Sequence, residues 1–130
     1  MKGSVAVVLF TRDLRVHDHP GLHAASRAAE RVVPLFVVDP AIAAPPNRQR
    51  FLAECLADLR ESLRARGGDL IVRYGDPVAE TVGLARAVGA TRIVLAADAS
   101  RYARTRQRRM AAAAAAERLE MITVDSVTVA

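Results

Sequence analysis

The sequence predicts an α/β fold: a three-layer, doubly wound domain on a five-stranded parallel sheet. Three observations predict it. Runs such as "SVAVVLF" and "TRIVLAA" are apolar almost throughout, as strands covered on both faces are. Segments with helical periodicity separate these runs, and the alternation continues along the whole chain. Right-handed crossovers then lay helices on both faces of one sheet. A chain of 130 residues with 52% hydrophobic and 25% charged residues suits one globular domain.

The first strand is read over residues 4–10, followed by a helix over 20–30 led in by Asp18. "RVVPLFVVD" (31–39) is the second strand. "RQRFLAECLADLRESLRARG" (48–67) is a long amphipathic helix with Phe51, Leu52, Cys55, Leu56, Leu59 and Leu63 on one face, stopped by Gly67 and Gly68. The third strand covers 69–75. Asp76 and Pro77 are an N-cap and first-turn pair for the next helix, "PVAETVGLARAVG". The fourth strand spans 91–97 and the fourth helix 100–119, where "AAAAAA" (111–116) supplies the best helix former. "EMITVDSV" is the fifth strand. Residues 40–47 read as the longest connection. The whole is Rossmann-like or flavodoxin-like in topology.

Composition removes several function classes. No apolar run approaches a membrane span, and "VAVVLF" is too short for a signal sequence, so a cytoplasmic protein is expected. Cys55 is the only cysteine and belongs to an apolar helix face; the three histidines lack ligand spacing, so no metal is predicted. Lys2 is the only lysine, and the net charge of +5 is therefore arginine charge, suited to phosphates and carboxylates.

In an open α/β sheet, ligands bind beyond the carboxyl ends of the strands. "TRDLRVHDHP" follows the first strand there, beside Asp39 and Asp98, with Arg101, Arg104, Arg106, Arg108 and Arg109 just beyond. Neither G-x-G-x-x-G nor G-x-x-x-x-G-K-[ST] occurs, nor the G-x-S-x-G nucleophile elbow. No catalytic residue is therefore assigned. Arg12 and Asp13 suit either a polar ligand or an ion pair that pins the loop. The arginines of the fourth helix read first as a solvated face. Chemistry alone reaches an α/β module for an anionic ligand.

The residues carry a resemblance beyond this. "LFTRDLRVHDHPGL" resembles the opening signature of the photolyase/cryptochrome family, W-F-R-R-D-L-R-x-x-D-N-P-A-L. "PLFVVDP", "RFLAECLADLRESLRARGGDLIVRYGDP" and "GATRIVLAADASRYARTRQRR" are similar to later family segments in the same order. The resemblance implies residues 1–130 as a single N-terminal α/β domain that holds an antenna chromophore. It further implies excitation transfer to FAD in a separate C-terminal helical domain, the means by which photolyases repair pyrimidine dimers. That FAD-binding domain is the expected partner, damaged DNA is met only through it, and this chain alone is not expected to be an enzyme.

Residue by residue, the resemblance puts Arg12 and Asp13 on the R-D-L-R motif and Asp39 on the D-P turn. It puts Asp98 after the fourth strand, with Tyr102 and Arg106 on Y-x-x-x-R. These are the expected cofactor-binding residues, with Arg48 and Arg50 as further candidates. Leu9, Thr11, Ser100, Arg101 and Gln107 depart from the family pattern. Tyr102 and Ala103 stand where folate-binding members carry Asn-Glu, which favours a deazaflavin or flavin antenna over folate. A competing reading is a stand-alone nucleotide-binding module of the universal-stress type, but "DASRYARTR" has no glycine for backbone approach to phosphate. A third reading, nucleic-acid binding through the fourth helix, meets few aromatics to stack on bases.

Overall fold

The computed structural model describes residues 4–12, 14–42 and 45–125. Five parallel strands and four helices alternate: β1 (Val5–Phe10), α1 (Pro20–Ala28), β2 (Arg31–Val38), α2 (Pro46–Ala65), β3 (Ile71–Tyr74), α3 (Pro77–Val88), β4 (Arg92–Ala97), α4 (Arg101–Ala116) and β5 (Glu120–Asp125). The strand order is β3-β2-β1-β4-β5. That order is the Rossmann branch of the doubly wound folds rather than the flavodoxin one.

β1 lies at the centre, and all six of its residues are buried. Its alternate side chains feed two cores. Val5, Val7 and Leu9 pack with Val78, Val82 and Ala85 of α3 and Met110 and Ala114 of α4. Ala6, Val8 and Phe10 pack with Ala25 of α1 and Leu59 and Leu63 of α2. A strand feeding both layers has no face to spare for polar residues, which is why it reads as an unbroken apolar run. The alanines of α4 complete the helix as expected, and Ala114 is buried at the interface with the sheet.

Local chemistry sets the helix ends. Asp76 caps α3 by accepting the Ala79 amide at 2.9 Å, and Gly89 closes it at φ 69°, the left-handed region that glycine enters freely. Ser100 caps α4 through the Ala103 amide.

Several expectations are corrected. Asp18 does not cap α1; it turns the chain at φ 50°, and the buried His19 takes the cap, its Nδ1 accepting the Leu22 amide at 3.0 Å. Asp tolerates the left-handed conformation better than most residues. The His19 ring lies against Phe10, centroids 4.6 Å apart. α2 starts at Pro46, two residues before Arg48, because a proline at N1 needs no amide partner. The longest connection is the one from Thr11 to His19 and not the one after β2. Phe51 leaves the apolar face and is 67% exposed, while Leu52 and Leu56 pack partly, and Leu59 and Leu63 fully, against the core. β3 is shorter than read, covering Ile71–Tyr74. The last two residues of the expected fifth strand, 126 and 127, fall outside the described residues.

Candidate functional site

The chain order reverses between β1 and β4: β2 and β3 lie to one side of β1, β4 and β5 to the other. At such a switch the connections leave toward opposite faces, opening a crevice beyond the strand ends. Arg12 follows β1 and Asp98 follows β4. The two meet across the switch, Arg12 Nε 3.3 Å from Asp98 Oδ2. The other carboxylate oxygen of Asp98 accepts the Ser100 amide at 3.0 Å, which fixes the turn into α4.

A second contact spans the same crevice. Asp39 leaves the end of β2 and Tyr102 opens α4. The Tyr102 hydroxyl donates to Asp39 Oδ2 at 2.7 Å, past the intervening end of β1. Asp39 Oδ1 is occupied by the Ala41 amide, so the carboxylate is held from both sides. One helical turn beyond Tyr102, the Arg106 guanidinium stands 5.4 Å from the centre of its ring, within cation–π range. The Arg106 Nε is buried and has no hydrogen-bond partner among the described residues. Burial raises the Tyr102 phenol above its ordinary value, and the Asp39 carboxylate adds to the shift. The phenol therefore stays protonated and donating.

Of the expected cofactor-binding residues, Arg12 pairs with Asp98, while Asp39, Tyr102 and Arg106 form a second group. Asp13 lies outside the described residues. Arg48 and Arg50 are exposed on the first turns of α2 and form no hydrogen bond or ion pair with other described residues. They stand apart from the network.

The sequence reading missed Asp76 and Arg109 as a pair. Both terminal guanidinium nitrogens of Arg109 donate to Asp76, at 3.0 Å each, in a bidentate contact. This pair, with the Ala79 amide, holds the Asp76 carboxyl below the usual range. Each residue carried a local signal, a helix cap and a basic helix, but nothing local joins positions 33 apart. Ile42 and Tyr74, 53% and 76% exposed, add apolar surface beyond the ends of β2 and β3. Tyr102, Asp39, Asp98, Arg12 and Arg106 together place one aromatic ring, two carboxylates and two guanidiniums beyond the strand ends.

Comparison with known proteins is consistent across sequence and structure. The DNA photolyase family matches residues 6–130. The deoxyribodipyrimidine photo-lyase of Streptomyces griseus is 50% identical over 131 residues, covering 98% of this chain and 29% of that protein. The class III photolyase from Agrobacterium tumefaciens superposes with a TM-score of 0.88 at 22% identity, covering 96% of this chain and 26% of that one. The archaeal photolyase from Sulfolobus tokodaii, described with two FAD molecules and a novel light-harvesting cofactor, gives 0.84 at 22% identity, over 93% and 29%. The chain therefore spans less than a third of the length of these relatives. It belongs to the DNA photolyase family.

Proposed function

We infer that the crevice beyond β1 and β4 binds an antenna chromophore, a planar tricycle of deazaflavin or flavin type. Residues 1–130 then act as the N-terminal domain of a light-dependent photolyase of the cyclobutane pyrimidine dimer type, or of a cryptochrome. The observation that carries this reading is the Tyr102 ring, 42% exposed, held by Asp39 through its hydroxyl and flanked by the Arg106 guanidinium. The Tyr102 ring supplies a stacking face. Arg12 and Asp98 offer a donor and an acceptor beyond the ends of β1 and β4.

When bound, the chromophore supplies light absorption and passes excitation to FAD held in a C-terminal helical domain of the parent protein. Damaged DNA is met through that domain. This chain's own residues bind the tricycle, orient it and limit water at its edge. The Sulfolobus protein's two FAD molecules support a flavin-type antenna on this fold. A folate antenna is disfavoured because Tyr102, engaged with Asp39, stands where Asn begins the folate pair. A universal-stress nucleotide module has lost its support with the family match.

Equilibrium dialysis against an 8-hydroxy-5-deazaflavin, FMN and ATP tests the reading. Retention of a tricycle without ATP supports it. Retention of ATP alone overturns it, as does retention of none of the three.

A further inference from the structure

The charge of this chain is not spread over its surface. It carries 19 Lys and Arg against 14 Asp and Glu. α4 holds five arginines and no acidic residue, so outside this helix the remaining basic and acidic residues balance. The whole excess positive charge sits on one helix.

The structure divides these arginines by direction. Arg109 is neutralised by Asp76, and Arg106 turns to Tyr102. Arg101, Arg104 and Arg108 are exposed and form no ion pair with any described acidic residue; Arg108 reaches only the Thr105 hydroxyl. At 100° per residue these three share one face, over about 10 Å of helix, close to the rise of three base pairs. Such a row works against the helix itself. Arg104 and Arg108 are like charges four apart, and Arg101 sits at the positive end of the helix dipole with no acid in the first turn. The alanine run that follows offsets this cost through propensity. A row of unpaired guanidiniums on one rigid face is an electrostatic match for an anionic partner.

We propose that the Arg101–Arg104–Arg108 face of α4 binds the phosphate backbone of duplex DNA, independently of the chromophore crevice and of sequence. Guanidiniums match phosphate oxygens two at a time, and a rigid helix holds them in register. The duplex is favoured over a single strand because no aromatic side chain accompanies these arginines; the nearest, Tyr102, is committed to Asp39. In the parent protein this face would add a backbone contact outside any lesion-reading groove.

The test is fluorescence anisotropy of the full chain with a labelled, undamaged 20-base-pair duplex across a salt series. Wild type is compared with R104Q/R108Q and with R27Q/R31Q, which removes the same charge from two exposed arginines elsewhere. Glutamine keeps helix propensity, and circular dichroism verifies folding of each variant. The expected result is a severalfold affinity loss for R104Q/R108Q, with the slope of log K against log salt shallower by about two. R27Q/R31Q keeps the wild-type slope. Equal losses in both variants would show attraction to net charge alone and overturn the proposal. So would the absence of DNA binding by wild type in low salt. Loss by R104Q/R108Q of binding to phosphatidylserine vesicles, with DNA affinity unchanged, would assign the face to lipid and overturn it too.

Discussion

The Tyr102 hydroxyl and Asp39 Oδ2, 2.7 Å apart and 63 positions apart in sequence, tie the start of α4 to the end of β2. The bond crosses the end of β1, so any molecule entering the crevice there meets this pair. Burial and the neighbouring carboxylate both favour the neutral phenol.

The phenol gives the first prediction. In Tyr74→Phe, Tyr102 is the remaining tyrosine, and its absorbance titration near 295 nm should have a midpoint above the ordinary value of about 10. Asp39→Asn should bring that midpoint down without restoring it fully, because burial, the larger cause, remains. The stability sign follows. A phenol with a raised folded pKa contributes stability that is fully present below the unfolded value and lost as pH climbs through the folded one. Tyr102→Phe should therefore flatten the alkaline limb of the stability profile above about pH 10. An unchanged limb would mean the bond does not form in solution.

Arg12 separates two roles that the sequence left open. Its side chain is 77% exposed and that of Asp98 23%, so their ion pair is screened and contributes at most about 1 kcal/mol. Arg12→Gln should leave the urea midpoint nearly unchanged and weaken retention of the tricyclic probe about tenfold or more, the loss of a charged hydrogen bond. A large fall in stability with unchanged retention would make Arg12 a loop clamp instead.

Asp76 does two jobs with one carboxylate, and they can be divided. Asp76→Ala removes the cap of α3 and the partner of Arg109, and the cap alone is worth about 1 kcal/mol. Asp76→Ser keeps a capping oxygen and loses the charge. Asp76 has a lowered pKa, so its contribution is present above the unfolded value near 3.9 and lost as pH falls through the folded one. Asp76→Ser should be nearly as stable as wild type once pH is below the lowered folded value and fall behind it above about pH 5. A constant gap between the two across that range would remove the pair from the account.

The sequence exposed what is local and hid what is long-range. The unbroken apolar run of β1, the Asp76–Pro77 helix start and the glycine stop at Gly67 and Gly68 each follow from a neighbouring residue's chemistry, and each is found where expected. The Asp18 cap failed because two adjacent residues competed for it; the winner depended on His19 packing against Phe10, a tertiary contact. Phe51 failed similarly: helical periodicity names a broad face, and packing decides which residue at its edge meets the core, Leu52 reaching it where Phe51 does not. The network around Tyr102 was reached through family motifs. Its pairings depend on strand order and register, and the Arg109–Asp76 contact, which no motif carries, went unseen.

Gly21 tests whether the His19 cap is rigid. A Cβ at Gly21 would stand 3.0 Å from His19 Cε1 and 3.3 Å from Nδ1, closer than ordinary contact allows. The ring cannot swing away freely, since it is buried against Phe10 and its Nδ1 holds the Leu22 amide. Alanine is otherwise the better helix residue by roughly 1 kcal/mol, so propensity and packing oppose each other here. Packing should win, because overfilling a constrained site costs about 1–3 kcal/mol. Gly21→Ala is therefore expected to lower the urea midpoint, and His19→Asn, a shorter cap, should make the same glycine replacement neutral or stabilising. If Gly21→Ala stabilises the protein with His19 in place, the ring yields, and the loop from Thr11 to His19 is held by something other than the His19 cap.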